Sequence, residues 1–334
     1  MHRPLFLHSA SPNPPLRVGL LLDGPVQPAW VAEVLEDLTR CDFVRVALVV
    51  YNGERAGRPR RGPDTALDRR SLLFNLYARW DRAGLNPEED PFRPTDLSRL
   101  LKDLDSIEVV PERRRFVHRF AEPDIERIRE RNLDVLLRFG FNILHGEILT
   151  AARYGIWSYH HGDSEFYRGG PAYFWETVAG EPVTGAMLQV LTGELDAGRV
   201  LERGYFATRP GRSWSRNRVQ PYWGSATFIQ QKLKELHEHG WERVERGIAP
   251  PAPYRGKVKI YTAPRNRTMV EWLVRRIGAR VRQWAAGPLR IRRLTHWKLG
   301  LLVGDRKRRA EGEPPDPRRF HWTLPPRGHF HTDP

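Results

Sequence analysis

Two short apolar runs, 17–22 and 44–51, each close on a turn signal: Asp23-Gly24-Pro25 after the first and Asn52-Gly53 after the second. Between them Val31, Val34, Leu35 and Leu38 fall at helical spacing within residues 28–40. Parallel strands cannot be joined by a tight turn and need a crossover, usually a helix. Strand, helix, strand in that order is a βαβ unit, and it commits the chain to an open α/β sheet buried on both faces. Further strands are predicted at 107–110, 134–139, 156–160 and 186–191. Helices are predicted near Ile125 and Ile128, where Pro123 can start one, and over 226–247, where Ile229, Leu233, Leu236 and Trp241 are in phase.

Residues 1–15 are rich in proline and polar side chains and read as a tether. Residues 54–106 read as an insertion, in which Leu72, Leu73, Leu76, Tyr77 and Trp80 form one helical stripe expected to pack. The first strand is not followed by Gly-x-Gly-x-x-Gly or by a Lys-Ser/Thr loop, which disfavours a nicotinamide or nucleoside-triphosphate enzyme. Cys41 is the single cysteine among 334 residues, so the chain holds no internal disulfide and no multi-cysteine metal site. With no apolar run near the length of a membrane span and no secretory signal at the N-terminus, a cytoplasmic setting is expected.

The net charge of +15 is not spread evenly. Between Arg255 and Arg309 stand 17 Lys or Arg against two acids, Glu271 and Asp305, so this stretch carries the whole surplus. The remainder is a neutral globule. Within the basic stretch, residues 268–286 place Val270, Leu273, Ile277, Val281 and Trp284 along one helical side, with arginines crowding the rest. Three readings stand: a helix lying on an anionic membrane surface, a contact to RNA phosphates, and a packed, solvated helix joining two domains.

The densest polar cluster is Ser158-Tyr159-His160-His161-Gly162-Asp163, followed by Tyr167-Arg168-Gly169-Gly170-Pro171. Alternate strand residues share a face, so Ser158 and His160 point one way and Trp157 and Tyr159 the other. They stand at the C-terminal end of a strand, where open α/β sheets bind ligands. Thr184-Gly185 opens the next strand, and Asp196-Ala197-Gly198 lies in the loop beyond it. A metal held by His160, His161 and Asp163 requires the strand to end between the histidines, and none is expected.

This order of motifs resembles the folate-dependent formyltransferase family, which includes glycinamide ribonucleotide, methionyl-tRNA and nucleotide-sugar formyltransferases. The family's Asn-x-His, Arg/Lys-Gly, Thr-Gly and Asp-x-Gly correspond to Ser158-x-His160, Arg168-Gly169, Thr184-Gly185 and Asp196-x-Gly198. Phe139-Gly140-Phe141-Asn142-Ile143-Leu144 is similar to its folate-gripping loop. The resemblance covers residues 16–248 and is sharp over 134–201. It implies an α/β, Rossmann-like formyltransferase fold with a mostly parallel sheet; beyond it, residues 249–334 read as a basic, partly helical C-terminal extension. It implies 10-formyltetrahydrofolate as co-substrate, held by Phe141, Asn142, Ile143, Leu144, Glu194 and Leu195. It also implies catalysis by Ser158, His160 and Asp196, with His161, Asp163, Arg168 and Gly169 at the acceptor amine.

The expected reaction is formyl transfer to the primary amine of a small molecule, an amino sugar or its conjugate. Methionyl-tRNA formylation, hydrolysis of formyltetrahydrofolate and a catalytically silent binding domain are the alternatives. The last arises because Ser158 stands where the family has Asn; a hydroxyl is shorter and has one proton to donate where an amide has two. The methionyl-tRNA alternative is weakened because residues 255–334 lack the alternating strands of a small β-barrel. The final residues, near Phe320-His321-Trp322 and His329-Phe330-His331, resemble the opening of a β-propeller domain, which would make the chain the front part of a longer protein.

Overall fold

The computed structural model describes residues 6–55, 69–114, 117–193, 198–209, 212–248, 253–278 and 281. The chain divides into a unit of residues 1–270 and a second unit of residues 271–334. The propeller-like terminal residues lie outside the described residues.

The first unit is built on a seven-stranded sheet: β1 (Leu16–Leu22), β2 (Val44–Asn52), β3 (Ser106–Val109), β4 (Val135–Arg138), β5 (Ile156–His161), β6 (Val183–Val190) and β7 (Arg199–Ala207). Their spatial order is β7-β6-β5-β4-β1-β2-β3. The first five strands run parallel, β6 adds antiparallel to β5, and β7 adds antiparallel to β6. This is an α/β, mostly parallel, Rossmann-like sheet. Continuous burial along β1, with only Arg17 of seven residues reaching solvent, is the mark of a strand covered on both faces.

Helix α1 (Ala29–Arg40) covers one face through Trp30, Val31, Val34, Leu35 and Leu38. Helix α3 (Glu122–Arg129) buries Ile125 and Ile128 in a cluster with Leu21, Leu48, Val50 and Leu136. The helix predicted over 226–247 is two helices, α6 (Phe228–His239) and α7 (Trp241–Arg246), separated at Gly240, whose φ of +76° no helix interior adopts. From Phe6 onward the tether is laid across the end of α6. Ser9 Oγ is 2.7 Å from His237 Nδ1, and the Ala10 amide donates to Glu238 Oε1.

Helix α2 (Leu72–Ala83) corrects the expected packing stripe. Phe74, Tyr77 and Asp81 face inward, while Leu72, Leu76 and Trp80 are 43, 53 and 72 % exposed. The inward choice follows from α5 (Trp214–Ser225), whose first turn needs an acceptor: Asp81 Oδ2 takes the Ser215 amide at 2.8 Å and the Tyr77 hydroxyl at 3.1 Å. Phe74 packs against Trp214 and Phe174.

Candidate active site

β1 and β4 are neighbours, yet the chain leaves them toward opposite edges of the sheet. Beyond their C-terminal ends lies the crevice that such a reversal always makes. Two groups shape it. Asp23, just past β1, accepts the Phe141 amide at 2.8 Å and the Asn52 side chain at 2.9 Å, both on Oδ1. The Phe139 and Gly140 amides donate to Leu21 O. Phe141 is thereby held at φ +62°, a left-handed conformation that costs a bulky residue energy.

The expected folate loop is placed by these contacts. Phe141 and Leu144 are buried in the core, Phe141 against Phe120. Asn142 turns its amide to His118 Nε2 at 2.9 Å, and its backbone N–H donates to His118 Nδ1. Ile143 pairs with Val117 in a short parallel ladder, half-buried. His118 is 1 % exposed and escaped the sequence reading because nothing around it forms a motif.

Across β4, β5 and β6, Arg138 pairs with Ser158 and Ser158 with Gln189. Cross-strand partners share a face, so these three side chains form one row. Arg138 Nη1 donates to Ser158 Oγ at 3.0 Å, while Nη2 and Nε reach the carbonyls of Phe141 and Asn142. Ser158 and Gln189 are 2 and 4 % exposed, and Gln189 Oε1 has no hydrogen-bond partner among the described residues. Arg138 and Gln189 were not anticipated; only strand register reveals them.

His160 lies two residues further along the same face, half-buried, with Nε2 3.2 Å from Tyr167 O. A carbonyl only accepts, so that bond puts the ring proton on Nε2 and leaves Nδ1 as the acceptor of the neutral imidazole. His161 faces the other way. β5 continues through both histidines, so their rings stand on opposite sides of the sheet. Among the described residues no group of three potential metal ligands converges. His161 is boxed by Trp30, Tyr159, Tyr173 and a Tyr222 ring stacked 3.8 Å away. That burial, with the neighbouring His160 second, pushes its pKa down to about 3, so it is neutral across the working range.

Asp163 Oδ1 accepts the Glu165 amide, and its carbonyl receives the amides of Phe166 and Tyr167, which makes it the organiser of the following turn. Arg168 donates to Ser164 O and stacks over Tyr254 at 4.6 Å. Gly169, at φ +89°, forms a bridge with Tyr261: Tyr261 N donates to Arg168 O, and Gly170 N donates to Tyr261 O. The loop expected to hold the acceptor is therefore strapped in place by residues 254–262. Glu194, Leu195 and Asp196 lie outside the described residues. Gly198 is described and packs against Gln189: a methyl there would lie 2.8 Å from Oε1.

Glu176 is a buried acid that sequence reasoning missed, hidden in the apolar run Phe174-Trp175 of α4 (Phe174–Ala179). It is 2 % exposed, and its Oε1 accepts the Thr184 hydroxyl at 3.2 Å. A methyl on Gly162 would lie 3.3 Å from His160 Nε2 and 3.6 Å from Glu176 Oε1, so the two groups flank the same glycine. Burial pushes the Glu176 carboxyl up to about 7. Between the ordinary value of 4.5 and about 7, the native chain keeps a proton that the unfolded chain has lost. The contribution of Glu176 to stability is thus expected to be fully present below about pH 4.5 and to be lost, by about 3 kcal/mol in all, as pH rises through about 7. Urea midpoints at about pH 5 and about pH 8 measure this slope, and Glu176→Gln is expected to flatten it.

Among the described residues of the first unit, clefts open toward both ends of the sheet strands. One of about 680 Å³, lined by Asp134, Tyr154, Arg199 and Trp241, sits at the N-terminal ends of β4 and β5, the far end from His160. The other, of about 650 Å³, is lined by Arg209, Arg212, Arg216 and Asn217 and lies past the end of β7, on the same edge of the sheet as His160.

No protein-family model matches the chain, and a search of curated proteins finds no match. Solved structures similar to it include a glycinamide ribonucleotide transformylase from Symbiobacterium toebii, 15 % identical with a TM-score of 0.45, covering 67 % of this chain and 88 % of that one. A phosphoribosylglycinamide formyltransferase from Anaplasma phagocytophilum is 18 % identical with a TM-score of 0.44, over 67 % and 87 % of the two chains. A sugar N-formyltransferase from a Shewanella species is 13 % identical with a TM-score of 0.43, over 72 % and 75 %.

Proposed function

We propose that the chain is an N-formyltransferase that moves a formyl group from 10-formyltetrahydrofolate to the primary amine of an amino sugar or its conjugate. The observation that carries this reading is the row Arg138–Ser158–Gln189 leading to His160 at the C-terminal edge of the sheet. Motifs in the order Ser158-x-His160, Arg168-Gly169, Thr184-Gly185 and Asp196-x-Gly198 support it.

The chemistry needs three things. The amine nitrogen attacks the formyl carbon, and the carbonyl electrons move onto oxygen. Donors must meet that oxyanion, and the Arg138 guanidinium and Gln189 amide beside Ser158 are groups of the right kind. The proton shed by the attacking amine then needs an acceptor, for which His160 Nδ1 is suited. The C–N10 bond breaks, N10 takes up a proton, and tetrahydrofolate and the formamide leave. Asp196, by the resemblance, orients His160. The arginine-lined cleft supports an acceptor that carries phosphate or carboxylate groups.

The test begins with 5-formyltetrahydrofolate, an isomer expected to bind without transferring its formyl group. Saturable calorimetric binding, weakened about tenfold or more in Arg138→Ala because the 141–142 turn loses its anchor, is the expected result. An amine screen with 10-formyltetrahydrofolate then separates transfer from hydrolysis, in which water takes the place of the amine. Absence of binding at millimolar ligand would replace this reading with that of a silent binding domain.

A further inference from the structure

The helical run 266–278 has two apolar sides. Met269 and Trp272 are 0 and 9 % exposed, with the Arg276 guanidinium over the Trp272 ring. On another side Val270, Val274 and Ile277 are 49, 63 and 61 % exposed, at the i, i+4, i+7 spacing of a single stripe that Val281 continues. This differs from the side read from the sequence: Val274 belongs to the exposed stripe and Leu273 does not. Aliphatic side chains left so open along a helix mark a surface that something apolar covers.

A second helix repeats the pattern. α2 exposes Leu72, Leu76 and Trp80, and the basic residues around them, Arg69, Arg70 and Arg79, are exposed too. The acid of its last turn, Asp81, is turned inward onto α5. Within the first unit Asn266 accepts the Leu73 amide at 2.9 Å and donates to Arg69 O at 2.8 Å, at the start of α2. Around the first stripe stand Arg267, Arg275 and Arg276 against one acid, Glu271, within a stretch that carries the whole +15 of the chain.

We propose that these two apolar, arginine-flanked stripes dock the protein onto an anionic lipid bilayer. The charge selects the partner: a polyanionic face complements Arg69, Arg70 and Arg79 beside one stripe and Arg267, Arg275 and Arg276 beside the other. The exposed side chains select lipid over nucleic acid. Phosphate contacts require arginines alone, whereas Val, Ile and Leu in line gain free energy only by entering an apolar phase. Arginine stems can lie along that phase with their heads at the phosphates, and the Trp80 indole suits the headgroup level. Among the described residues no helix is long and apolar enough to cross a membrane, so the attachment is interfacial.

The test is co-sedimentation of the full chain with vesicles of phosphatidylcholine alone, and with vesicles holding about 30 mol% phosphatidylserine. Binding to the anionic vesicles is expected to be roughly tenfold or more tighter and to weaken as salt is raised. Val274→Asp with Ile277→Asp is expected to lower it tenfold or more, and so is Leu76→Asp with Trp80→Asp. All four positions are exposed, so thermal melting should be unchanged, and that is measured alongside. Equal binding to both vesicle types, no binding at millimolar lipid, or full binding by both double variants would overturn the proposal. So would single-stranded RNA displacing the protein from vesicles while the aspartate variants bind that RNA as tightly as the parent chain.

Discussion

Replacing His160 by alanine is expected to slow formyl transfer about 100- to 10,000-fold, with 5-formyltetrahydrofolate affinity changed less than about threefold. The size follows from the role proposed for the ring. An amine attacking a formyl carbon becomes a cation that collapses back unless its proton leaves, and the Nδ1 lone pair of His160 is the suited acceptor on this edge of the sheet. Tyr167 O fixes the tautomer and the ring's orientation, so this acceptor is already in place before the substrate arrives. The ring is half-buried, so its loss should cost less stability than that of a fully buried side chain. His161→Phe is the matching control. His161 is neutral and packed among Trp30, Tyr159, Tyr173 and Tyr222, so an aromatic ring of similar shape should keep the rate. Steady-state rates for both variants, read with folate titrations, separate a chemical role from a structural one. A His160→Ala enzyme at the parental rate would remove the proposed mechanism.

The parts of this architecture that sequence reveals are those governed by local period. The βαβ opening was legible because β1 and β2 are buried on both faces and bounded by Asp-Gly-Pro and Asn-Gly. Ser158 and His160 were legible because strand alternation alone puts them on one face. What stayed hidden depends on long-range register. Arg138 and Gln189 stand 20 and 31 residues from Ser158 and meet it only because three strands pair in one alignment. Seen alone, serine in place of an amide reads as a lost donor; beside Arg138 it is a small residue that leaves room for a guanidinium. The edge strand β7 was missed because its half-exposed residues carry no clean alternation. α5 was missed because Pro221 interrupts it and its apolar residues are not gathered on one side. The stripe on α2 failed for another reason: Asp81, a charged residue, faces inward to cap a neighbouring helix, and no rule of hydrophobic spacing anticipates that.

Gly140→Ala adds a single methyl group, yet it is expected to cost about 3 kcal/mol or more. A Cβ at this position would overlap the backbone amide nitrogen of Asp23 and lie 2.6 Å from the carbonyl carbon of Leu22. Neither is the far end of a side chain that can swing aside. Both belong to the exit of β1, which is hydrogen-bonded to the same loop through Leu21 O. Relief therefore requires β1 and β4 to part at the crevice, which also breaks the Asp23–Phe141 bond and lets Phe141 leave its left-handed conformation. For a domain of this size the loss corresponds to a melting temperature lower by roughly 6–12 °C. Folate affinity should fall with it, because the 141–144 loop loses its anchor. Gly180→Ala supplies the contrast. Gly180 has φ +73° at the end of α4, with no atom near the place a Cβ would take, so it should cost only about 1 kcal/mol of backbone strain and leave folate binding intact. If calorimetric melting ranks the two variants the other way, the contact between the β4 loop and β1 is not what holds the crevice closed.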